Sequence, residues 1–233
     1  MGAVIEFRNV TKAFGERKVL DDLSFSVEKG EILAVVGPSG TGKSVTLKHV
    51  VGLLEPDAGS VTVDPSARLG YLFQGGALLA WLTVAENVAL PLEEMTDLSD
   101  AEIDKRVREA LEAVDLVDAA DRYPAEISGG MLKRAGLARA IVREADVILY
   151  DEPTSGLDPV TAARIHRLIR DLNRTRGVTS VLVTHDLESA LQFADRILLL
   201  TAGRVAVCAK PDDFVHSQDP AAREFLAAMK GGL

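Results

Sequence analysis

The chain has 233 residues, of which 47% are hydrophobic and 26% are charged, and its net charge is -9. A chain of this length and composition can fold as one large α/β domain without disulfides or structural metals. The acidic balance argues against a general nucleic-acid binder, because phosphate contacts need clustered Lys and Arg. The single cysteine, Cys208, excludes an intramolecular disulfide and fits a reducing compartment.

The sequence predicts neither a membrane-spanning helix nor a secretory signal. Its most strongly hydrophobic run, the four residues at 197–200, is far shorter than the roughly 18 residues that a membrane-spanning helix needs. Glu6 and Arg8 stand where a signal peptide would have its apolar stretch. We therefore expect the chain to stay in the cytoplasm.

The pattern of apolar residues predicts the elements in chain order. Two alternating segments, 4–10 and 19–27, predict antiparallel strands on either side of a turn at 15–17. Strands covered on both faces, as in a parallel sheet, are predicted at three wholly apolar runs: 32–36, 147–150 and 181–183. Helical periodicity lies between them, at 43–54, 99–114, 129–143, 159–175 and 187–194. This alternation predicts a doubly wound α/β core.

Helical periodicity replaces the strand pattern from about 82 to 128, which indicates an inserted helical subdomain. Between Glu93 and Arg122 it carries eleven acidic and four basic residues, which we interpret as a solvated helix face rather than a docking surface. An apolar stripe predicts a final helix at 221–229, packed on its own domain. The predicted organisation is one domain: a β layer and α/β core at about 1–81 and 145–216, a helical subdomain at about 82–144, and a helical tail at 217–233.

A glycine-rich segment directly follows the strand at 32–36 and opens the next helix: Gly37-Pro38-Ser39-Gly40-Thr41-Gly42-Lys43-Ser44. Strand, loop and helix in this order are the context of a phosphate-binding loop. The glycines let backbone N–H groups approach a phosphate, and the helix N-terminus adds its positive dipole end. Lys43 is predicted to reach the β- and γ-phosphates, and Ser44 to ligate Mg²⁺.

Two further strand ends carry groups suited to nucleotide hydrolysis. Asp151 and Glu152 follow the strand at 147–150, which we place beside the strand of the phosphate loop. Asp151 is placed to contact Mg²⁺, and Glu152 to take a proton from the attacking water. His185 follows the strand at 181–183. A strand-end histidine is often structural, but its place on the same sheet edge favours contact with the γ-phosphate.

A third group of polar residues, Ser128-Gly129-Gly130, precedes a predicted helix. Ser128 is a good N-cap, and the glycines leave the first-turn N–H groups accessible to an anion. Because one phosphate loop serves one ATP, this second anion-binding helix start suggests that it completes the site on another copy of the chain.

These motifs, in this order, resemble the nucleotide-binding subunit of an ABC transporter. The resemblance also includes Gln74 at the end of a strand, Ser155-Gly156-Leu157-Asp158 and Thr184-His185-Asp186, and it covers about 4–216. It implies a RecA-like P-loop core of parallel strands, an antiparallel β subdomain and an inserted α-helical subdomain. It also implies a homodimer that sandwiches two ATP molecules head to tail and acts on an integral membrane permease.

The resemblance implies a role for each matching residue. Glu152 would be the general base, His185 would sense the γ-phosphate, and Gln74 would link Mg²⁺ and the attacking water to the permease. Mg²⁺ would be held by Ser44, Gln74 and Asp151. ATP would be bound by Phe14 against the adenine, by the loop 37–44 and Thr46, and by Ser128, Gly129 and Gly130 of the facing copy, with Asp158 at the dimer seam.

The sequence departs from the family pattern at two places. Met131 stands where the family usually has glutamine, but the backbone donors and helix dipole remain, so we expect activity to survive. Only 29 residues separate Ser44 from Gln74, which predicts a trimmed β layer around 61–73.

The residues around Gln74, the stretch 177–186 and the segment 217–226 are similar to the cassettes of Mla and Mce-type lipid transporters. This resemblance implies phospholipid transport with a permease and an Mce-type lipid-binding protein, on the cytoplasmic side of the inner membrane. The segment 77–84, which contains Trp81, also resembles cassettes of nitrate, taurine and sulfonate importers, which is the alternative. A soluble ABC ATPase acting on nucleic acid or ribosomes is less favoured, because such proteins usually carry two cassettes or a long coiled-coil insertion. A non-catalytic binding module is excluded, because no residue needed for hydrolysis is missing.

Overall fold

A computed structural model describes residues 2–230 of the chain. Met1 and the last three residues of the predicted tail at 217–233 lie outside the described residues. The strands are β1 (Ala3–Phe14), β2 (Arg17–Glu28), β3 (Ile32–Val36), β4 (Ala58–Val63), β5 (Leu69–Leu72), β6 (Val147–Asp151), β7 (Thr179–Val183), β8 (Arg196–Thr201) and β9 (Arg204–Ala209). The helices are α1 (Lys43–Val50), α2 (Val84–Met95), α3 (Asp100–Ala113), α4 (Gly129–Ile141), α5 (Pro159–Arg176), α6 (Leu187–Phe193), α7 (Pro211–Val215) and α8 (Pro220–Lys230).

The strands form two sheets. A three-stranded antiparallel sheet has the order β2-β1-β4, and a six-stranded sheet has the order β5-β6-β7-β3-β8-β9. In the larger sheet β9 runs antiparallel to β8, and the other neighbours are parallel. Every residue of β3, β6 and β7 is buried, as expected of strands covered on both faces. The predicted α/β class with a parallel core and a separate antiparallel sheet is confirmed.

Strand β7 lies between β3 and β6, so the expectation that the Asp151 strand adjoins the strand of the phosphate loop is wrong. Val183 of β7 pairs with Val35 on one side and with Asp151 on the other. The three strands have the same short apolar pattern, and such a pattern carries no information on their order. All three are parallel, so their carboxyl ends still meet at one edge of the sheet.

The chain between α1 and the larger sheet is short. Helix α1 ends at Val50, earlier than predicted, where the N–H of Leu53 donates to the carbonyl oxygen of Lys48. A single strand, β4, then joins the antiparallel sheet, and β5 forms the edge of the six-stranded sheet. The segment 61–73 is therefore divided between the two sheets.

Helices α2, α3 and α4 lie between β5 and β6 in the chain, and residues 73–146 contain no strand. Helix α2 begins at a capping box of Thr83 and Glu86, as the sequence pattern of a helix start favours. The apolar faces of α2 and α3 pack with α4 in one cluster that also reaches β6, whereas the acidic side chains of α3 are exposed.

The last helix packs against the rest of the domain. Ala222 of α8 is buried, and Phe225 and Leu226 pack on the same cluster as Phe214 of α7. Among residues 2–230, none of the helices has both the length and the hydropathy of a membrane span.

Candidate nucleotide site

The loop between β3 and α1 holds a desolvated ammonium group at the start of a helix. Gly42, the N-cap of α1, has a φ of 101°, and a Cβ there would lie 2.7 Å from the side chain of Leu20. Lys43 is buried, and its Nζ donates to the carbonyl oxygens of Gly37 at 2.8 Å and Pro38 at 2.9 Å. Burial lowers the pKa of Lys43. This arrangement suits a phosphate group, whose oxygens can take the place of the two carbonyls.

A cleft of about 390 Å³ opens in front of this loop. It is lined by eight of the predicted site residues: Phe14, Ser39, Gly40, Gly42, Lys43, Ser44, Gln74 and Glu152. The ring of Phe14 is 48% exposed at the end of β1, with Nζ of Lys12 5.8 Å from its centre. An exposed aromatic ring beside a phosphate loop suits the stacking of a base.

The cleft lining also includes three residues that the sequence did not indicate: Arg17, Val19 and Val45. The guanidinium of Arg17 donates to the carbonyl oxygen of Gly40 at 3.2 Å, so it fixes the tip of the loop from β2. No local motif marks Arg17, because its contact depends on how the antiparallel sheet packs against the loop.

Asp151 lies directly behind Ser44. The hydroxyl of Ser44 donates to Oδ1 of Asp151 at 2.8 Å, and the hydroxyl of Tyr71 donates to Oδ2 at 3.4 Å. Asp151 is 4% exposed, and burial raises the pKa of its carboxyl, while the two hydrogen bonds oppose that rise. Hydroxyl and carboxylate oxygens are the ligands that Mg²⁺ prefers, so the pair fits this ion. Tyr71 was not predicted as a partner of Asp151.

Glu152 carries its carboxylate into the cleft from a strained backbone. Its φ is 52°, in the left-handed region that non-glycine residues rarely adopt. The backbone N–H donates to the carbonyl oxygen of Val183 at 2.9 Å, and Oε2 lies 2.8 Å from Nδ1 of His185. The Glu152 side chain is 12% exposed, compared with 66% for His185. A carboxylate held by an imidazole at the mouth of a phosphate cleft can serve as a general base.

The remaining predicted residues do not line the cleft. Gly37, Pro38 and Thr41 belong to the phosphate loop but are not part of the cleft lining. Thr46 is buried, and its hydroxyl donates to the carbonyl oxygen of Gly42 at 3.1 Å, so it supports the loop from within α1. Oδ1 of Asp158 accepts the N–H groups of Val160 and Thr161, each at 3.0 Å, and caps α5. His185 lines a neighbouring cavity of about 680 Å³, together with the segment 154–157.

The start of α4 also lies away from this cleft. Oγ of Ser128 accepts the N–H of Met131 at 3.3 Å, which makes Ser128 the N-cap as predicted. The nearest group to a Cβ on Gly130 would be the side chain of Leu157, at 3.1 Å. Ser128, Gly129 and Gly130 are absent from the lining of the cleft in their own copy.

Residues 20–155 match the family model described as ABC transporter. That match covers more than half of the chain, and the fold and the site agree with it. The chain belongs to the ABC transporter family, as an ATP-binding cassette of the kind that couples ATP hydrolysis to transport.

The chain is similar to transport ATPases of several systems. It is 39% identical to the probable ribonucleotide transport ATP-binding protein mkl of Mycobacterium leprae, over 100% of this chain and 71% of that protein. It is 38% identical to the intermembrane phospholipid transport system ATP-binding protein MlaF of Haemophilus influenzae, over 98% and 92%. It is 41% identical to the methionine import ATP-binding protein MetN of Brucella abortus, over 87% and 58%.

Solved cassettes have the same fold. A dimeric ATP-binding cassette, in a post-hydrolysis state with ADP and Pi bound, superposes with a TM-score of 0.83 and 34% identity, over 89% of this chain and 98% of that chain. The ATP-binding subunit of another ABC transporter superposes with a TM-score of 0.84 and 27% identity, over 96% and 99%.

Proposed function

We propose that this cassette drives phospholipid transport through a separate membrane permease, together with an Mce-type lipid-binding protein, from the cytoplasmic side of the inner membrane. The observation that carries the proposal is the similarity to the phospholipid transport ATPase of Haemophilus influenzae, which extends over almost the full length of both chains. The methionine import relative is about as similar, but the chain covers only 58% of it. The lipid relative matches 98% of this chain, compared with 87% for the methionine import relative, and this more extensive match favours the lipid system.

The residues in and around the cleft have separate roles in hydrolysis. Lys43 and the loop N–H groups bind the phosphates of ATP, and Phe14 stacks on the adenine. Ser44, Asp151 and Gln74 would hold Mg²⁺, which would supply positive charge to stabilise the phosphates. Glu152 takes the proton of the water that attacks the γ-phosphate, and His185 orients the carboxylate through their 2.8 Å contact.

Two copies share each ATP. The start of α4 has the form of an anion site, because Ser128 caps it and its glycines leave the backbone open, yet it lies outside the cleft of its own copy. In a head-to-tail dimer, Ser128, Gly129 and Gly130 of one copy close the cleft of the other, with Asp158 at the seam. ATP then binds the closed dimer more tightly than the open one, and this difference in affinity supplies the drive for transport.

The permease docks beside Gln74. A groove of about 470 Å³ lies between β5 and α2, and its lining includes the apolar side chains of Phe73, Leu90 and Met95. Trp81 stands nearby in the chain with 72% of its surface exposed. An exposed tryptophan and an apolar groove near Gln74, which lines the nucleotide cleft, suit a protein partner whose movement is coupled to the binding and hydrolysis of ATP.

The proposal is tested by gentle purification of the cassette from its native membranes, followed by mass spectrometry of co-purifying proteins and lipids. We expect a permease, an Mce-type protein and enriched phospholipid. A permease with a soluble solute-binding protein and no enriched lipid would instead support the small-anion importer. Recovery without any membrane protein would contradict the permease partnership.

A matched pair of variants locates the docking surface in the same experiment. Trp81→Ala is expected to reduce the recovered permease, whereas Tyr123→Ala, which removes another exposed aromatic ring of the helical subdomain, leaves recovery unchanged. If Trp81→Ala, like Tyr123→Ala, left the amount of recovered permease unchanged, Trp81 would not belong to the docking surface.

A further inference from the structure

The second turn of α4 is tied to the segment that follows Glu152. Nζ of Lys133 donates to Oγ of Ser155 at 2.6 Å and also to its carbonyl oxygen. The hydroxyl and the N–H of Ser155 both lie 3.3 Å from the carbonyl oxygen of Glu152. A continuous chain of hydrogen bonds thus runs from the ammonium of Lys133 to the backbone of Glu152.

This connection acts on a strained part of the backbone. Glu152 has a positive φ, and such a conformation persists only where surrounding contacts hold it. Val183 provides one contact, through the backbone of β7, and Ser155 closes the turn on the other side. Lys133 is the group that fixes Ser155 from outside this turn.

Charge adds to the hydrogen bonds. Burial lowers the pKa of Lys133, and the nearby carboxylate of Glu152 raises it. The ammonium therefore interacts with the same carboxylate that faces the cleft, while Lys133 itself does not line the cleft. Lys133 therefore has no contact with a nucleotide in the cleft of its own copy, and an effect of Lys133 on hydrolysis there acts through Ser155 and Glu152.

Lys133 also lies close to the start of its helix. It follows Ser128 by five positions, which is roughly 7.5 Å along an α-helix. In the shared site of the proposed function, the start of α4 binds the nucleotide of the facing copy, whereas Glu152 acts on the nucleotide of its own copy. Lys133 thus lies between the two sites of the dimer.

We propose that Lys133 is a positioning residue for hydrolysis that ties α4 to the turn of Glu152. Through this tie, binding of the facing copy's ATP to the start of α4 would position Glu152 to act on the ATP of its own copy. This inference rests on the proposed shared site. It predicts that Lys133 governs the rate of the chemical step and the cooperativity between the two sites, and that it leaves nucleotide affinity unchanged.

The test uses the complex purified from membranes and measures kcat, KM for ATP, the Hill coefficient and the Kd for ATP. Lys133→Met removes the ammonium but keeps a long apolar stem, and we expect kcat to fall on the order of tenfold with Kd within about twofold of the wild type. Lys133→Arg, which keeps charge and donors, restores most of kcat. The Hill coefficient falls toward one with Met and recovers with Arg.

A double-mutant cycle tests the path through Ser155. Ser155→Ala removes the hydroxyl, and we expect the double variant Lys133→Met, Ser155→Ala to be no slower than Lys133→Met alone, because both changes break one connection. Lys105→Met is the matched control, since Lys105 is 75% exposed on α3 and, within residues 2–230, forms an ion pair only with Glu109, at 3.9 Å. Its kcat is expected to equal the wild-type value, and thermal unfolding checks that every variant is folded.

The outcomes separate this inference from the proposed function. A Lys133→Met complex with wild-type kcat and Hill coefficient, a parallel loss of kcat and ATP affinity, or multiplicative effects in the cycle would each overturn the role of Lys133. A wild-type complex without ATP turnover would overturn the proposed function and this inference together.

Discussion

At the scale of single residues, the site depends on polar groups withdrawn from water. Lys43 and Asp151 are both buried, and burial favours the neutral form of each group, so it lowers the pKa of Lys43 and raises the pKa of Asp151. Their partners are carbonyl and hydroxyl groups of the chain, so each charge is satisfied locally. A bound phosphate and Mg²⁺ would replace these partners with stronger charge-assisted contacts.

A buried histidine outside the cleft makes the stability of the domain depend on pH. His49 on α1 is 4% exposed, and its Nδ1 contacts the carbonyl oxygen of Val45 at 2.7 Å. Its Nε2 is buried and has no hydrogen-bond partner among the residues that the structure describes. Burial lowers the pKa of His49 below its usual value of about 6.5. Just below pH 6.5, His49 is protonated in the unfolded chain but still neutral in the folded chain. The free energy of unfolding therefore decreases as the pH falls through about 6.5.

The wild type and the His49→Leu variant are expected to differ in how steeply the free energy of unfolding changes with pH. His49→Leu removes this proton, and we expect its free energy of unfolding to fall less steeply below about pH 6.5 than that of the wild type, by at most about 1.4 kcal/mol per pH unit. Denaturant unfolding at a series of pH values measures both slopes. Identical slopes would show that His49 is not held neutral in the fold.

At the scale of elements, α4 connects the parts of the site. Lys133 contacts Ser155, and the guanidinium of Arg139 donates to the carbonyl oxygens of Gly76 and Ala77, both at 2.8 Å. Gly76 and Ala77 follow Gln74 closely, so one helix touches both the segment of Gln74 and the segment of Glu152. A displacement of α4 must therefore affect both.

The contact between α4 and the Gln74 segment requires a glycine. Gly76 has a φ of 77°, and a Cβ there would lie 2.5 Å from the carbonyl oxygen of Leu132 on α4. Gly76→Ala combines a left-handed backbone with a backbone clash, and we expect it to lower the free energy of unfolding by about 2 kcal/mol or more. Urea unfolding measures this loss.

Gly75→Ala is the matched control for that prediction. Apart from Gly75 itself and its two neighbours in the chain, no described residue would have an atom within 4 Å of a Cβ on Gly75, and the φ of Gly75 is not positive. We expect a change within about 0.5 kcal/mol, as for most surface substitutions. If both variants were equally stable, the close packing of α4 on this segment would not contribute to stability.

The sequence predicted the elements of this fold better than the contacts between them. The apolar periods located β3, β6 and β7 because burial on both faces leaves a local pattern. Their order could not be predicted, since β7 is placed between the other two by packing over long distances in the chain. The partners Tyr71, Arg17 and Lys133 and the positive φ of Glu152 were missed for the same reason, because each depends on a contact with a distant segment.

At the scale of the whole molecule, the proposed function assigns two half-sites to one chain. The cleft in front of Lys43 is lined by the phosphate loop and Glu152, whereas the start of α4, capped by Ser128, lies outside that cleft. In the proposed head-to-tail dimer unlike halves meet, so two copies would form two equivalent sites across one two-fold axis. That the two copies share their sites is the claim on which the proposed mechanism depends.

Complementation between two inactive variants tests that claim most directly. Glu152→Gln removes the base, and Ser128→Arg obstructs the facing site. Both forms are produced in one cell with different tags, and complexes that contain one copy of each are purified from membranes on the two tags in sequence. In such a mixed dimer one site has both changes and the other is intact, so we expect ATP turnover well above that of complexes of either variant alone, which are inactive. The rate stays below half of the wild-type value, because the copy that carries the remaining base also carries the obstructed start of α4. A mixed complex as inactive as the separate variants would contradict the shared site.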